Sequence, residues 1–304
     1  MHGNVNDGNH KVSYRQVKLY ASKEGKAMSG ERLKAWGYWG DETEGVARVT
    51  SAHGDYFHVV CDEKPEGEAI ARTKSSAFRD IPPPVTGDFV RFVYNPQGES
   101  RITEVLPRIS ALERLDPSSS GFRSQTLAVN FDTLFFAMAM NGNASVARLE
   151  RMLALAKKSG CIDRVALLLT KSDIGTPDGV HAADFAEYGV PVIEVSSTSG
   201  KGMDQVWRYV QPRRTVAIVG SSGVGKSTLV NTLAGEEWMA TGNIQEWSGK
   251  GRHTTTSREL VMLPCGAMAL DTPGLREFGV LGLDGFDLKG RIGGTHRYRQ
   301  QIRR

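Results

Sequence analysis

One stretch, Gly220-Ser221-Ser222-Gly223-Val224-Gly225-Lys226-Ser227-Thr228, constrains this chain more than any other, because it satisfies G-x-x-x-x-G-K-[ST]. It follows the β-branched run TVAIVG and leads into a helical pattern from Lys226 to Leu233, so it reads as strand, loop and helix. Glycines let the backbone wrap closely, and successive N–H groups then face the α- and β-phosphates of a nucleotide. Lys226 sets a cation against the β/γ oxygens. The Ser227 hydroxyl can ligate Mg²⁺, and the helix that follows presents its positive end. A phosphate loop does not choose between adenine and guanine.

Base choice needs other residues. RVALLLT ends in Thr170-Lys171-Ser172-Asp173. Guanine offers N1–H and N2–H donors on one edge, which a single carboxylate accepts together. Asp173 is the candidate acceptor, with the Lys171 stem lying across the base face. The run PVIEVSS then delivers Ser196 and Ser197, whose backbone N–H groups suit the guanine carbonyl. After the phosphate-loop helix comes Gly249-Lys250-Gly251-Arg252-His253-Thr254-Thr255-Thr256, a glycine-flanked, hydroxyl-rich loop suited to sensing a γ-phosphate. One of its threonines, Thr254 and Thr255 foremost, is the candidate second Mg²⁺ ligand. Asp271-Thr272-Pro273-Gly274 supplies a carboxylate that can hold Mg²⁺ through water, and a Gly274 N–H for the γ-phosphate. Next stands Leu275, which is apolar and cannot orient an attacking water. Unaided hydrolysis is therefore expected to be slow, and His253 is the candidate replacement group.

The surrounding patterns alternate between strand and helix. LAVNFDTLFFAMAM reads as a buried strand, SVARLERMLALAKKSG as an amphipathic helix, RVALLLT and PVIEVSS as further strands, and LVMLPCGAMALDT as a hairpin. Alternation of this kind predicts a parallel sheet with helices on both faces and ligands at the carboxyl ends of its strands. Earlier in the chain, GVARVTSAHGDYFHVVC, EGEAIARTKS, TGDFVRFVY and SRITEVLPR read as five short strands, which suit a small all-β barrel of the oligonucleotide/oligosaccharide-binding type. Tyr38, Trp39, Tyr56 and Phe57 are interleaved there, either as core or as base-stacking surface. The expected organisation is a basic mobile arm (1–36), the barrel (37–107), a Ser/Pro/Gly-rich linker (108–126), the nucleotide domain (127–283) and a short basic tail (284–304).

Order then becomes informative. An ordinary GTPase has its phosphate loop first and its base-reading motif last. Here TKSD and the SST segment precede GSSGVGKST, GRHTTT and DTPG, so the motifs are circularly permuted. With AVNFD, GKGRHTTT and DTPGLREF, the chain resembles the small-ribosomal-subunit-dependent GTPase family called RsgA or YjeQ. The resemblance spans residues 40–280 and implies GTP/GDP and Mg²⁺ as ligands. It also implies GTP hydrolysis stimulated by the small ribosomal subunit, a role in late maturation of that subunit, and a barrel that contacts its rRNA. The family also implies a Cys/His zinc site in a helical C-terminal domain. After Phe278 this sequence has no cysteine, and His296 cannot make a four-ligand site by itself.

Composition limits the other choices. Hydrophobic and charged fractions of 39% and 24% over 304 residues are those of an ordinary soluble chain with room for two domains. No apolar run approaches the ~18 residues of a membrane span, and the N-terminus lacks a secretory apolar stretch. A cytoplasmic monomer with no membrane partner is expected. Net charge is +4, with seven Lys/Arg against three acids in residues 1–36 and six against one in the last twenty. Cationic ends suit a phosphate-backbone partner, and equally a pair of solvated tails. Cys61, Cys161 and Cys265 are far apart and are expected to be reduced packing residues. The competing readings are a P-loop ATPase or nucleotide kinase, and an RNA-binding protein whose P-loop half is degenerate or structural.

Overall fold

Alternating apolar residues in the first half of the chain build a barrel, and continuous apolar runs in the second half build a parallel sheet. The computed structural model describes residues 30–73, 83–115, 124–142, 144–175, 180–235 and 259–271. The N-terminal arm before Gly30 and the C-terminal tail fall outside those residues.

The barrel comprises β1 (Val46–His53), β2 (Tyr56–Cys61), β3 (Ala69–Thr73), β4 (Phe89–Val93) and β5 (Ser100–Val105). Their order is β1-β2-β3-β5-β4, and β4 pairs back onto β1 to close the ring. Strands β3 and β5 run parallel, while the other pairs are antiparallel. Gly54 at φ +61 makes the tight β1–β2 turn, with His53 facing Tyr56 across it. Inward residues Val49, Phe57, Val59, Ala71, Val90, Phe92 and Ile102 fill the barrel. A short helix α1 (Glu31–Ala35) plugs one end by burying Leu33 against Val46 and Phe89. The four aromatics divide between the two roles. Phe57 is core and Tyr38 packs on Phe89 with ring centroids 5.1 Å apart, whereas Trp39 and Tyr56 are exposed.

The segment expected to be a linker contains structure. Strands β6 (Ala111–Leu115) and β7 (Ser124–Val129) pair antiparallel, with Leu112 and Leu127 buried in the core. The run LAVNFDTLFFAMAM is likewise two strands rather than one, β7 and β8 (Thr133–Ala139). It breaks at Asn130, which adopts φ 50. Its amide accepts from Ile109 N at 3.0 Å and donates to Gly87 O at 3.1 Å, so the side chain holds the left-handed backbone that asparagine tolerates.

Strands β8, β9 (Val165–Thr170), β10 (Val192–Val195), β11 (Thr215–Gly220), β12 (Glu259–Met262) and β13 (Met268–Asp271) form the second half in the order β10-β9-β8-β11-β13-β12. All pair parallel except the β12–β13 hairpin. Every residue of β9 and β11 is buried, as expected for strands covered on both sides. On one face Phe136, Met138, Leu167 and Val219 pack with Leu149, Met152 and Leu153 of helix α2 (Val146–Lys158). On the other, Phe135, Leu168, Val216 and Ile218 pack with Met203 and Val206 of α3 (Met203–Trp207) and Leu229, Val230 and Leu233 of α4 (Lys226–Ala234). Each fully buried aliphatic contributes about 1.5–3 kcal/mol, so these two layers dominate stability.

Barrel and sheet are continuous through the pairing of Ser51 with Glu259. The three cysteines are free thiols. Burial pushes Cys61 up to about 11 and Cys161 up to about 12, so both stay protonated at neutral pH and act as small apolar residues. No helix among the described residues is long and apolar enough to cross a membrane.

Candidate nucleotide site

Parallel pairing places the carboxyl ends of β8, β9, β10, β11 and β13 along one sheet edge. Val195 pairs with Thr170, Thr170 with Ala139, Gly220 with Ala137, and Asp271 with Ile218. The segments following these residues are the ones singled out by the sequence. TKSD, the SST turn and the phosphate loop therefore emerge side by side.

The phosphate loop leaves β11 at Gly220, where a Cβ would stand 2.5 Å from Ala137 O, so only glycine fits. Gly223 and Gly225 have φ +77 and +95, and a Cβ built at either meets nothing within 4 Å. The loop is thus a turn open on its outer side, with the residues before α4 free to face a ligand. Ser222, Gly223 and Thr228 are exposed, Ser221, Gly225 and Ser227 half-buried, and Val224 buried. Lys226 is 7% exposed, and its Nζ donates to Gly220 O and Ser221 O, both at 3.0 Å. Its ammonium is held over the loop by carbonyl dipoles, at the first residue of α4. That donor set, a cradle of backbone with one cation, fits a polyphosphate, and Ser227 directly after Lys226 adds the hydroxyl oxygen that Mg²⁺ requires.

Thr170 joins the two halves of the site. Its Oγ1 donates to Val224 O at 2.6 Å, with Met138 O at 3.2 Å, so the end of β9 is hydrogen-bonded to the phosphate loop itself. Lys171 follows with φ 57, which turns the chain out of the strand. Ser172 N donates to Val195 O at 3.2 Å, and Asp173 is exposed just beyond. Ser172 Oγ is buried and has no hydrogen-bond partner among the described residues. On the neighbouring strand Ser196 is buried and Ser197 half-buried. The Ser196 Oγ accepts from Ser199 N at 3.1 Å, and Ser196 N donates to Lys201 O at 2.9 Å, folding residues 196–201 into a tight turn.

The switch candidates fall differently. Asp271 is placed by its backbone at the end of β13, two pairs short of Gly220's level. His253, Thr254, Thr255 and Gly274 lie outside the described residues. Among the described residues no cluster of three or more His, Cys, Asp or Glu could hold a metal ion. Sequence reasoning named Thr170 only as part of a base-reading segment. Its hydroxyl at a strand end was the available sign of a tie. Arg148, whose Nη1 lies 3.3 Å from Ser221 Oγ, carries no motif and was not foreseen.

The family model described as RsgA GTPase matches residues 105–281. The chain belongs to the RsgA GTPase family. Among relatives, it is 38% identical over 238 residues to small ribosomal subunit biogenesis GTPase RsgA 2 of Lactiplantibacillus plantarum, covering 76% of this chain and 66% of that one. It is 38% identical over 236 residues to the RsgA of Methanosarcina acetivorans, covering 76% and 62%. The chain therefore spans about two thirds of the length of the curated relatives it matches. Of solved structures, YjeQ from Thermotoga maritima superposes with a TM-score of 0.51 at 21% identity over 75% of this chain and 74% of that one. YloQ, described as a circularly permuted GTPase, gives 0.50 at 20% identity over 76% and 72%. At such identities these two speak for the fold, which is the permuted RsgA arrangement with a barrel in front.

Proposed function

We propose that this chain binds Mg²⁺-GTP at the carboxyl edge of its parallel sheet and hydrolyses it to GDP and phosphate, as a biogenesis factor for the small ribosomal subunit. In this reading Gly220–Thr228 cradle the α- and β-phosphates and Lys226 neutralises the β/γ oxygens. Thr170, Lys171, Ser172 and Asp173 form the base pocket with Ser196 and Ser197. Ser227, Asp271 and Thr254 or Thr255 would hold Mg²⁺, which when bound supplies positive charge across the phosphate oxygens. The observation that carries the reading is the Thr170 Oγ1 to Val224 O bond. It makes base-reading segment and phosphate loop one unit although 54 residues separate them in the chain.

The relatives are named as small ribosomal subunit biogenesis GTPases, and this supports the same partner for the present chain. In this reading the chain acts as a cytoplasmic monomer. Leu275 in the water-positioning place implies slow turnover alone and acceleration on the subunit, with His253 or a partner group orienting the water. The barrel (37–107) would face rRNA, where exposed Tyr56 already carries the Arg72 guanidinium 3.8 Å from its ring centroid. The nucleotide unit in this reading takes in the β6–β7 pair, whose Leu112 and Leu127 lie in the core of the sheet.

Two measurements test this. GTP turnover is followed with and without small ribosomal subunits, with Lys226→Ala as control. Stimulation that vanishes in the control is expected, and absence of both basal and stimulated turnover sinks the hydrolase reading in favour of a structural P-loop. Asp173→Asn exchanges an acceptor for a donor, so it should weaken GTP and favour a xanthine nucleotide. Unchanged GTP affinity would remove Asp173 from the base pocket and reopen the ATPase alternative.

A further inference from the structure

Ser221 is held from two sides by cations. Lys226 Nζ bonds its carbonyl at 3.0 Å, and Arg148 Nη1 approaches its hydroxyl at 3.3 Å. The second cation belongs to no phosphate-loop motif. It comes from α2, 73 residues earlier in the chain, and reaches the loop because β8 pairs with β11 and delivers α2 beside it.

The position of Arg148 is unfavourable for its own helix. It is the third residue of α2, with its backbone N–H capped by Ser145 Oγ at 3.3 Å, and that first turn contains no acid. A cation there faces the positive end of the helix dipole, which a local optimum would fill with Asp or Glu. Residues that break a local rule without structural gain tend to serve a site. What Arg148 gains is proximity to the loop that receives an anion. With Lys226 and the amino end of α4 it adds to one positive field centred on residues 220–226.

We infer that Arg148 is a positioning residue of the nucleotide site, holding Ser221 and tilting the loop's field toward the triphosphate over the diphosphate. This rests on the GTP reading above and deepens it. Ser221 begins the loop, so fixing its side chain limits the loop's freedom before the nucleotide arrives. The charge acts at longer range, and a ligand with one more phosphate feels it more.

The test uses the full chain with Mg²⁺ and compares wild type, Arg148→Gln, Arg148→Lys and Ser221→Ala. Affinities for GDP and for a non-hydrolysable GTP analogue are measured by calorimetry at low and at high salt. Arg148→Gln should weaken the triphosphate about fivefold and the diphosphate about twofold, the size of effect expected for one partly exposed charge. The gap should narrow at high salt, where screening shortens to a few ångströms, and Arg148→Lys should restore most of it. Ser221→Ala should loosen both ligands alike. A triphosphate-to-diphosphate ratio unchanged in Arg148→Gln at low salt overturns the inference, as does a lysine variant no better than glutamine. A wild type that binds neither nucleotide would overturn the GTP reading itself, a result distinct from these.

Discussion

At the scale of single residues, Thr170 does the most with the fewest atoms. Its hydroxyl bonds the end of β9 directly to Val224 O of the phosphate loop at 2.6 Å. Thr170 is 5% exposed, so the bond is shielded from water and the carbonyl has little alternative. Thr170→Val keeps shape and removes the donor, leaving a buried carbonyl unpaired at a cost of about 1–3 kcal/mol. Part of that loss should appear as nucleotide affinity, because the loop is no longer tied to the base-reading segment. A GTP dissociation constant raised about fivefold in a fluorescent-analogue titration, with the fold intact by circular dichroism, is the expected result. Equal affinity in the two proteins would mean that the tie is only structural.

Among the elements, the turn between β10 and α3 shows how tightly the proposed base side is built. Gly202 has φ +72, and a Cβ on it would fall 2.0 Å from Glu194 O, a contact no side chain can make. Gly202→Ala must push β10's carboxyl end away from the Ser196 turn, at a cost of at least ~2 kcal/mol. A melting temperature lower by several degrees, together with weaker GTP binding, would follow; a variant that melts like wild type would show that the turn is pliable. By residue type alone Gly202 is one glycine among many past a strand end, and nothing in the chain marks its contact with Glu194 O. Legibility elsewhere followed the same division. The β9 and β11 runs, VALLLT and TVAIVG, were readable because strands covered on both faces are apolar throughout. The phosphate loop was readable because its chemistry fixes residue types at fixed spacing. The β6–β7 pair was hidden because its partners flank a Ser/Pro/Gly-rich stretch, which resembles a linker by composition. The break at Asn130 was hidden for another reason: it depends on Gly87 and Ile109, contributed by distant segments. Arg148 was invisible because its meaning comes entirely from strand order.

Across the whole molecule, one buried arginine fastens barrel to sheet. Arg48 lies on β1 and is 1% exposed, yet its guanidinium reaches four separate segments. Nη1 donates to Trp36 O and contacts Met268 Sδ at 3.1 Å, while Nη2 donates to Asn130 O at 3.2 Å and Thr215 Oγ1 at 2.9 Å. The Phe89 ring centroid lies 4.7 Å from its central carbon. Burial pulls its pKa below the ordinary arginine value, offset in part by Asp132 and Asp88. Thr215 and Met268 begin β11 and β13, the strands whose far ends lead to the phosphate loop and to DTPG. Around this centre, Asp88 is paired with Arg108 at 2.8 Å and Asp132 with Arg214 at 2.6 Å, so the junction is polar and specific in geometry. Such a junction is sensitive to the loss of one partner more than to replacement of the whole set. Arg48→Ala should therefore cost about 3–5 kcal/mol, since it leaves three acceptors unpaired and a cavity beside Phe89. Arg48→Met fills most of that space and should cost less. Because the lost contacts to Met268, Asn130 and Thr215 cross between barrel and sheet, the alanine variant should melt in two calorimetric transitions where the wild type shows one. A single transition at the wild-type temperature would mean that the Ser51–Glu259 pairing and the Asn130 contacts suffice to join the halves without Arg48.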